Sequence, residues 1–359
     1  MIADSSIPDG VWRDARQLAV LGMGVALPGP PLETSALLDK IADQCGVDVR
    51  RRGSAIAHRL GIQTRHICRD FASRQEPPRC GHSNAELAAR ALATALTQSA
   101  LSVNELSYLI SHTATPGDAI PPNVAHVAEI SGYHGPYLEL RQACTGFANA
   151  LIVAQGLLAL PTTRAVAIVG SETGSVYLDP ARAEHAREQL VNLVQMGDAA
   201  AAIVLTRAKS GHAHISRVFF GQIGYSRPAS LRLRAGGSLH VGISTAEFEH
   251  DFDAVRQHGV DLFEAGVTAA RTLGVDAASV DYVIPHQVNG RLAEFLAPRL
   301  GLRPEQVFVN ADRVGNTGSA AIWVALHALQ GALRGGERAL ILGAEATKHM
   351  YGGFCYDHA

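Results

Sequence analysis

The stretch YLISHTA at residues 108–114 recurs as YVIPHQV at residues 282–288, and this repetition indicates how the chain folds. A second pair recurs at nearly the same separation, because CTG at residues 144–146 and NTG at residues 316–318 each precede an apolar run. Each matched stretch places a polar residue where a predicted strand ends. Two copies of one folding unit with different chemistry at equivalent points predict one composite site, formed by Cys144, His286 and Asn316.

The composition is that of a globular chain with nearly balanced charges. The 359 residues are 47% hydrophobic and 18% charged, with a formal net charge of −2. This balance gives no global field that would attract nucleic acid or an anionic membrane, so we expect neither as a partner. No apolar run is long enough to predict a transmembrane helix, and the N-terminal residues do not resemble a signal peptide. Five scattered cysteines without a CxxC pair predict neither disulfides nor zinc binding, and they favour a cytoplasmic location.

Predicted strands and helices alternate in the same order in both halves of the chain. In the first half, strands are predicted at residues 18–27, 106–114, 137–140, 165–169 and 200–205, and helices at 85–101, 123–130 and 146–160. In the second half, strands are predicted at 282–285, 307–310 and 339–342, and helices at 252–273, 291–300 and 319–333. This alternation predicts an α/β architecture with parallel or mixed sheets, divided into an N-terminal half at residues 1–208 and a C-terminal half at residues 209–359.

Three segments lie outside this pattern. The arginine-rich stretch at residues 50–78 shows little periodicity and is interpreted as surface excursions. The charged segment at residues 179–195 is a helix-prone insert, and residues 212–246 have no clear counterpart in the other half.

Cys144 lies between a predicted strand and a helix that is apolar nearly all round. The unpaired N–H groups and the positive dipole end of a helix N-terminus lower the pKa of a thiol there, which favours the nucleophilic thiolate. We expect Gly146 to let chain or ligand approach the sulfur. A buried structural cysteine is the alternative interpretation of this position.

His286 and Asn316 complete the predicted site. His286 follows an apolar run and therefore emerges at the carboxyl end of a strand, where open α/β sheets bind ligands. A satisfied core histidine is the alternative, and this is the role that we predict for His112 at the matching point. The Asn316 amide can donate a hydrogen bond at any pH, although Asn-Thr-Gly also suits a turn or a helix N-cap. The match between Asn316 and Cys144 favours a functional role, because it brings two equivalent helix N-termini toward one cavity.

Two glutamates also occupy matching positions. Glu172 ends RAVAIVGSE and Glu345 ends RALILGAE. We expect structural roles for both, with projection into the cavity as the alternative. His212 and His214 form an isolated pair without a third ligand, so no metal site is predicted.

Three motifs, QACTGF around Cys144, IPHQVNGR around His286 and GNTGSAA around Asn316, resemble those of thiolase-fold condensing enzymes. The chain is similar to the β-ketoacyl-acyl carrier protein synthase III-like branch over most of its length. This resemblance implies a thiolase-like five-layered α-β-α-β-α sandwich built from two duplicated halves, usually as a homodimer.

The resemblance also implies a reaction. Cys144 would attack an acyl thioester, and His286 and Asn316 would bind the carbonyl of a malonyl thioester whose loss of CO₂ gives the carbon nucleophile. The product would be a β-ketoacyl thioester. The substrates would be acyl-CoA or acyl-ACP together with malonyl-ACP, with acyl carrier protein as the partner and no cofactor. The backbone N–H groups of Cys144 and Thr347 would stabilise the tetrahedral oxyanion, and the predicted substrate contacts are Gln287, Phe147 and Arg65.

The sequence departs from this family in two places. Residues 344–348, AEATK, stand where the family has a glycine-rich loop, which predicts a narrower, more polar or differently shaped pocket. Ala55 and Gln63 stand where fatty-acid starter enzymes use tryptophan and arginine to hold the coenzyme A adenine, which favours a carrier-protein donor.

Two alternative functions remain open. One is an acyltransferase of the same fold that moves an acyl group to a hydroxyl or amine in specialised metabolism. The other is a non-catalytic partner subunit of a synthase. The sequence leaves open the acyl chain length and whether the pathway is fatty-acid initiation or specialised-metabolite assembly.

Overall fold

The computed structural model describes residues 10–71, 79–234 and 247–359. The strands of the N-terminal half are β1 (Trp12–Asp14), β2 (Leu18–Ala26), β3 (Leu32–Glu33), β4 (Thr64–Arg65), β5 (Arg69–Asp70), β6 (Arg79–Cys80), β7 (Tyr108–His112), β8 (Tyr137–Leu140), β9 (Val166–Glu172) and β10 (Ala199–Arg207). Its helices are α1 (Thr34–Cys45), α2 (Arg50–Leu60), α3 (Asn84–Ser99), α4 (Asn123–Ser131), α5 (Gly146–Leu158), α6 (Pro180–His185) and α7 (Arg187–Gln195).

The C-terminal half repeats this order with fewer additions. Its strands are β11 (His214–Gln222), β12 (Leu231–Arg234), β13 (Glu247–His250), β14 (Tyr282–Pro285), β15 (Arg338–Glu345) and β16 (Met350–Asp357). Its helices are α8 (Phe252–Thr272), α9 (Leu292–Leu300), α10 (Ala311–Val314) and α11 (Ala321–Gln330).

The main strands follow one path, β14-β15-β16-β11-β2-β10-β9-β7-β8. In the first half, β9, β7 and β8 are parallel and β10 runs antiparallel between β9 and β2. In the second half, β14 and β15 are parallel and β16 runs antiparallel between β15 and β11. The two halves of the path join through two residue pairs of β11 and β2. The topology of one half is therefore repeated in the other.

The core shows why the sheets form layers. Along β10, Ala201, Ile203 and Leu205 face the central cluster that contains α5 and α11, while Ala202 and Val204 face the cluster that contains α3 and α4. This alternation follows the two-residue period of a strand. Helices α8 and α9 cover the outer face of the second half. The layers are thus α3/α4, sheet, α5/α11, sheet and α8/α9, which confirms the predicted five-layered sandwich.

Helices α5 and α11 are apolar nearly all round because both sheets enclose them. The Phe147 ring meets the Trp323 ring edge-to-face with centroids 6.0 Å apart, and Phe354 from β16 completes this aromatic cluster. The two helices that begin after Cys144 and Asn316 are therefore held together at the centre of the molecule.

Most predicted elements are confirmed, and three predictions are wrong. Residues 50–60 form helix α2, which the pattern concealed because only Gly53 and Ala57 of this helix are buried. Residues 307–310 make a single bridge, Val307 to Val283, instead of a strand. Residues 214–222 do have a counterpart, since β11 occupies the position in its half that β2 occupies in the first.

The proposed division at residue 208 falls in the connection between β10 and β11 and stays a prediction. The predicted break in the repeat at residues 212–246 extends partly outside the described residues. Within the described ranges, no helix is both long and apolar enough to cross a membrane.

Candidate active site

Cys144 lies in a turn between β8 and α5. The turn is closed by the Gly146 N–H, which donates to the Ala143 carbonyl at 3.0 Å. The thiol is free and partly exposed. A Cβ at Gly146 would lie 2.7 Å from His112 Nδ1, so glycine is required there for the helix to start directly above that ring. The expectation that Gly146 opens a path to the sulfur is replaced by this packing role.

The start of α5 is capped by a carboxylate from the other half of the chain. Glu345, the last residue of β15, accepts hydrogen bonds at Oε2 from the Thr145 N–H at 2.9 Å and from the Thr145 hydroxyl at 2.7 Å. Thr145 makes no cap of its own. Glu345 is buried, and it thus holds the residue that follows Cys144.

The other half repeats the arrangement with the roles exchanged. Glu172, the last residue of β9, accepts at Oε2 from the Ser319 N–H at 3.0 Å and from its hydroxyl at 2.8 Å. Gly318 has φ +49°, and a Cβ there would lie 2.5 Å from Glu172 Oε2. Each half therefore caps the central helix of its sister. The structural roles predicted for both glutamates are confirmed, whereas their reach across the halves was not predicted.

These contacts reverse the predicted pKa shift of the nucleophile. Burial raises the pKa of the Cys144 thiol well above its ordinary value, and the nearby carboxylates of Glu345 and Glu172 raise it further. The expected lowering fails chiefly because the thiol is buried, and the charge of Glu345 at the helix N-terminus adds to this effect. The resting thiol is therefore protonated at neutral pH.

His286 follows β14 at its carboxyl end, and its backbone N–H donates to the Leu342 carbonyl of β15 at 2.7 Å. The side chain is buried, and burial lowers its pKa to about 4. His286 Nδ1 has no hydrogen-bond partner within the described part of the chain. The imidazole is thus neutral at physiological pH, and it can donate one hydrogen bond without bearing a positive charge.

Asn316 is held beside the end of α7. Its N–H donates to the Gln195 carbonyl at 2.8 Å, and its carbonyl accepts from the Gly197 N–H at 3.0 Å. The side-chain oxygen accepts from the Gly318 N–H at 3.1 Å. This bond leaves the amide NH₂ as the group that is available to donate to a ligand.

His112, the counterpart of His286, has a structural role. It is fully buried, its Nε2 accepts from the Trp323 indole N–H at 3.1 Å, and burial lowers its pKa to about 3. The prediction that His112 is a core histidine is confirmed, with Nε2 paired and Nδ1 without a hydrogen-bond partner in the described ranges.

The turn at residues 346–349 joins β15 to β16 and contains Thr347. The Ala346 carbonyl accepts from the Ser230 N–H at 3.2 Å, which fixes one side of the turn. Neither the Cys144 N–H nor the Thr347 N–H makes a hydrogen bond to any residue that the structure describes. Both groups therefore have the free donor that an oxyanion site requires, and their assignment to that site stays a prediction.

The three predicted substrate contacts, Gln287, Phe147 and Arg65, are buried, and their assignment stays a prediction. Gln287 is buried, accepts from the Asn310 and Ala311 N–H groups and donates to the Phe308 carbonyl. These side-chain bonds take the place of the backbone hydrogen bonds that a strand at residues 307–310 would have made. Phe147 belongs to the central aromatic cluster. Arg65 is fully buried, donates to Thr34 Oγ1 and to the Val194 carbonyl, and has its pKa lowered to about 10 by burial.

Two of the three predicted catalytic residues, Cys144 and His286, come after the carboxyl ends of parallel strands, β8 and β14, and Asn316 comes before the helix start that Glu172 caps. Cys144 and Asn316 precede the two central helices, and His286 leaves β14 beside β15, which ends in Glu345. The electrostatic effect of both Glu345 and Glu172 on Cys144 links the two capped helix starts. Among the residues described, no group of three or more histidines, cysteines or acids could hold a metal ion.

Comparison with protein families finds matches over the stretches that contain all three predicted residues. The family described as 3-oxoacyl-[acyl-carrier-protein (ACP)] synthase III matches residues 138–224, which include Cys144. Its C-terminal family matches residues 270–349, which include His286 and Asn316. The β-ketoacyl-[acyl-carrier-protein] synthase III of Nitratidesulfovibrio vulgaris is 30% identical over 300 residues, covering 80% of this chain and 85% of the relative. That of Symbiobacterium thermophilum is 29% identical, covering 87% of this chain and 88% of the relative.

Solved structures show the same fold over nearly the whole chain. AbyA1, a tetronic acid condensing enzyme, superposes with a TM-score of 0.83 at 28% identity and covers 95% of this chain and 99% of its own. The 3-oxoacyl-(acyl carrier protein) synthase III of Pseudomonas aeruginosa superposes with a TM-score of 0.77 at 26% identity, covering 96% and 98%. The chain therefore belongs to the 3-oxoacyl-[acyl-carrier-protein] synthase III family and is an acyltransferase-class condensing enzyme of the thiolase fold.

Proposed function

We propose that this condensing enzyme works in two half-reactions, with Cys144 carrying the acyl group between them. In the first, the Cys144 sulfur attacks the carbonyl of an acyl thioester, and the carbon–sulfur bond to the carrier then breaks. The thiol proton passes to the departing carrier thiolate, so the acyl-enzyme and the released carrier thiol are both neutral. The N–H groups of Cys144 and Thr347 stabilise the tetrahedral oxyanion.

In the second half-reaction, the His286 imidazole and the Asn316 amide donate hydrogen bonds to the thioester carbonyl of a malonyl group. The bond to the carboxylate breaks, CO₂ leaves, and its electron pair forms an enolate that the two donors stabilise. The enolate carbon attacks the acyl carbonyl on Cys144. The bond from this carbonyl to the cysteine sulfur breaks, the β-ketoacyl thioester departs, and Cys144 regains a proton. This reaction uses only thioester substrates and no cofactor.

The observation that supports this assignment most is the environment of Asn316. Its side-chain oxygen is occupied by the Gly318 N–H, so its NH₂ group is the available donor. It occupies, in its half, the position of Cys144. A neutral His286 adds a second donor without the positive charge that would hold the malonyl carboxylate and oppose its loss.

Carrier and pathway follow from the surface and from the relatives. Ala55 is exposed on α2 and Gln63 is exposed after it, and neither offers the ring that stacks on adenine. We infer that acyl carrier protein brings both substrates. The likeness to a tetronic acid condensing enzyme supports a place in specialised-metabolite assembly.

We further propose a cytoplasmic homodimer. Strand β8 is the last strand of the sheet path, and Tyr137 on β8 and Ile130 on α4 are exposed. An unpaired edge with exposed apolar side chains favours pairing with a second copy. Cys45, Cys68, Cys144 and Cys355 are free thiols, which suits a reducing compartment.

Intact-protein mass spectrometry with a panel of acyl-CoA and acyl-ACP thioesters tests the first half-reaction. We expect a mass increase that maps to Cys144, faster from the carrier protein. Adding malonyl-ACP should then remove the acyl group with release of one CO₂ for each acyl group transferred. Loss of the label to a hydroxyl or amine without CO₂ release would support the simple acyltransferase instead, and an unmodified Cys144 with every donor would contradict both.

A further inference from the structure

Glu345 contacts both segments that supply the proposed oxyanion donors. Its Oε2 accepts from the Thr145 N–H and hydroxyl, and its Oε1 accepts from the Thr347 hydroxyl. One buried carboxylate thus joins the residue that follows Cys144 to Thr347 itself. The contact spans the central helix α5 and the turn after β15, which are 200 residues apart in sequence.

The surroundings of Glu345 hold its carboxylate in one orientation. Asn149 donates to Gln142 Oε1 at 2.7 Å, Gln142 donates to the Thr145 hydroxyl at 2.9 Å, and Thr145 donates to Glu345 at 2.7 Å. Every bond in this chain donates toward the carboxylate. A carboxylate held by this many donors is fixed in one orientation, so Glu345 is suited to hold neighbouring groups in place.

The matching glutamate makes a different set of contacts. Glu172 accepts from Ser319 and from the Thr115 hydroxyl. Thr115 follows β7 in the same half as Glu172, and neither it nor Ser319 belongs to a proposed oxyanion segment. Glu345 therefore contacts both a helix start and the turn that follows its own strand, and Glu172 does not.

We propose that Glu345 is a positioning residue that holds the Cys144 N–H and the Thr347 N–H at a fixed separation, so that both point at the acyl carbonyl oxygen. In this chain the turn has side chains at Ala346, Thr347 and Lys348, and Glu345 fixes it from within while Ser230 fixes its outer side. This inference rests on the proposed function, because it assigns a role in the acylation of Cys144.

The same carboxylate also affects the thiol through its charge. The groups that act on Cys144 are Glu345 and Glu172, which both raise its pKa, while His112 beneath Gly146 and His286 are neutral. Removing either negative charge should therefore lower the pKa of Cys144. Of the two changes, only removal of Glu345 should also release the Cys144 and Thr347 segments from each other. Comparing the two variants therefore separates the effect of charge on the Cys144 pKa from the effect of geometry on the acylation rate.

Three variants test the inference: Glu345→Ala, Glu345→Gln and Glu172→Gln. Single-turnover acylation by an acyl-ACP should fall by about 10–100-fold in Glu345→Ala, the loss typical of removing a positioning contact. Glu345→Gln retains an acceptor for Thr145 and should recover part of that rate. Both glutamine variants should move the pH midpoint of iodoacetamide alkylation of Cys144 downward, by about one unit. Glu172→Gln should not reproduce the acylation loss of Glu345→Ala.

The outcomes separate this inference from the proposed function. If the unmodified protein is acylated and Glu345→Ala is acylated at the same rate, the positioning role is wrong while the proposed function stands. If the unmodified protein is never acylated, both are wrong. Should Glu345→Ala fail to fold, Thr347→Val decides instead, because it removes only the hydroxyl that donates to Glu345. An unchanged acylation rate in Thr347→Val and an unchanged alkylation midpoint in Glu345→Gln would overturn the inference.

Discussion

The starts of the two central helices use the same framework for different chemistry. Helix α5 begins after Cys144 and is capped by Glu345, and the one-turn helix that leads into α11 begins after Asn316 and is capped by Glu172. In each case the carboxylate comes from the sister half, so neither helix start is complete without the other half. The residue that precedes each helix start differs. It is Cys144, with a thiol, in one half and Asn316, with an amide, in the other. A shared framework can therefore hold a nucleophile and a hydrogen-bond donor in equivalent positions.

The two matched histidines differ in another way. His112 is the last residue of β7 and His286 follows the last residue of β14, and burial lowers the pKa of both. Nδ1 of both rings lacks a hydrogen-bond partner in the described ranges, but of the two rings it is His112 that is covered by Gly146 and accepts at Nε2 from the Trp323 N–H. The cover by Gly146 and the bond from Trp323, and not burial or the pKa, therefore distinguish His112 from His286.

The largest expected effect comes from exchanging the matched residues for alanine. Cys144→Ala should abolish the acyl-enzyme and lower product formation at least about 10³-fold, because both half-reactions need the sulfur. Asn316→Ala should form the acyl-enzyme at close to the normal rate, and condensation should fall about 10²–10³-fold through loss of an oxyanion donor. Intact mass measures the first step, and chromatography of the β-ketoacyl product measures the second. If Asn316→Ala blocked acylation as strongly as condensation, the division of labour between the halves would be wrong.

A smaller effect should separate the matched histidines. His286→Ala should lower condensation about 10²-fold and should reduce stability less than its counterpart does. His112→Ala leaves the buried Trp323 N–H unpaired, which costs about 1–3 kcal/mol of unfolding free energy. Urea denaturation and product assays on the same two samples distinguish these outcomes. An equal loss of stability in both variants, with equal activity, would show that the two histidines have the same role.

The order of elements could be predicted because burial on both faces leaves a local pattern in the sequence. Strands β8 and β14 are confirmed with their predicted bounds, and the apolar runs after Cys144 and Asn316 are the central helices. Helix α2 was not predicted, since it buries too little to show a period. The duplication identified Cys144, His286 and Asn316 because the two copies differ there while their surroundings agree.

The rest of the site depends on contacts between residues far apart in sequence. No local pattern indicates how deeply Cys144 is buried, that Glu345 meets Thr145 or that Glu172 meets Ser319, and the predicted shift of the Cys144 pKa therefore had the wrong sign. Gln287 and Phe147 lie close in sequence to His286 and Cys144, and the structure shows that both side chains are buried.

The smallest expected effect concerns acid stability and again compares His286 with its surroundings. Burial lowers its pKa to about 4, while an unfolded histidine titrates near 6.5. Below pH 6.5 the unfolded chain binds a proton that the folded chain does not, so this contribution to stability is complete above pH 6.5 and declines as the pH falls toward 4. At pH 5 the loss is on the order of 1–2 kcal/mol. Raised pKa values of Glu172 and Asp198 act in the opposite direction, so a variant is needed to isolate the histidine.

His286→Asn should lose less unfolding free energy than the unmodified protein between pH 6.5 and 5, as measured by urea titration. Parallel pH curves for the two proteins would mean that the folded imidazole titrates like an unfolded one, and the lowered pKa of His286 would then be wrong.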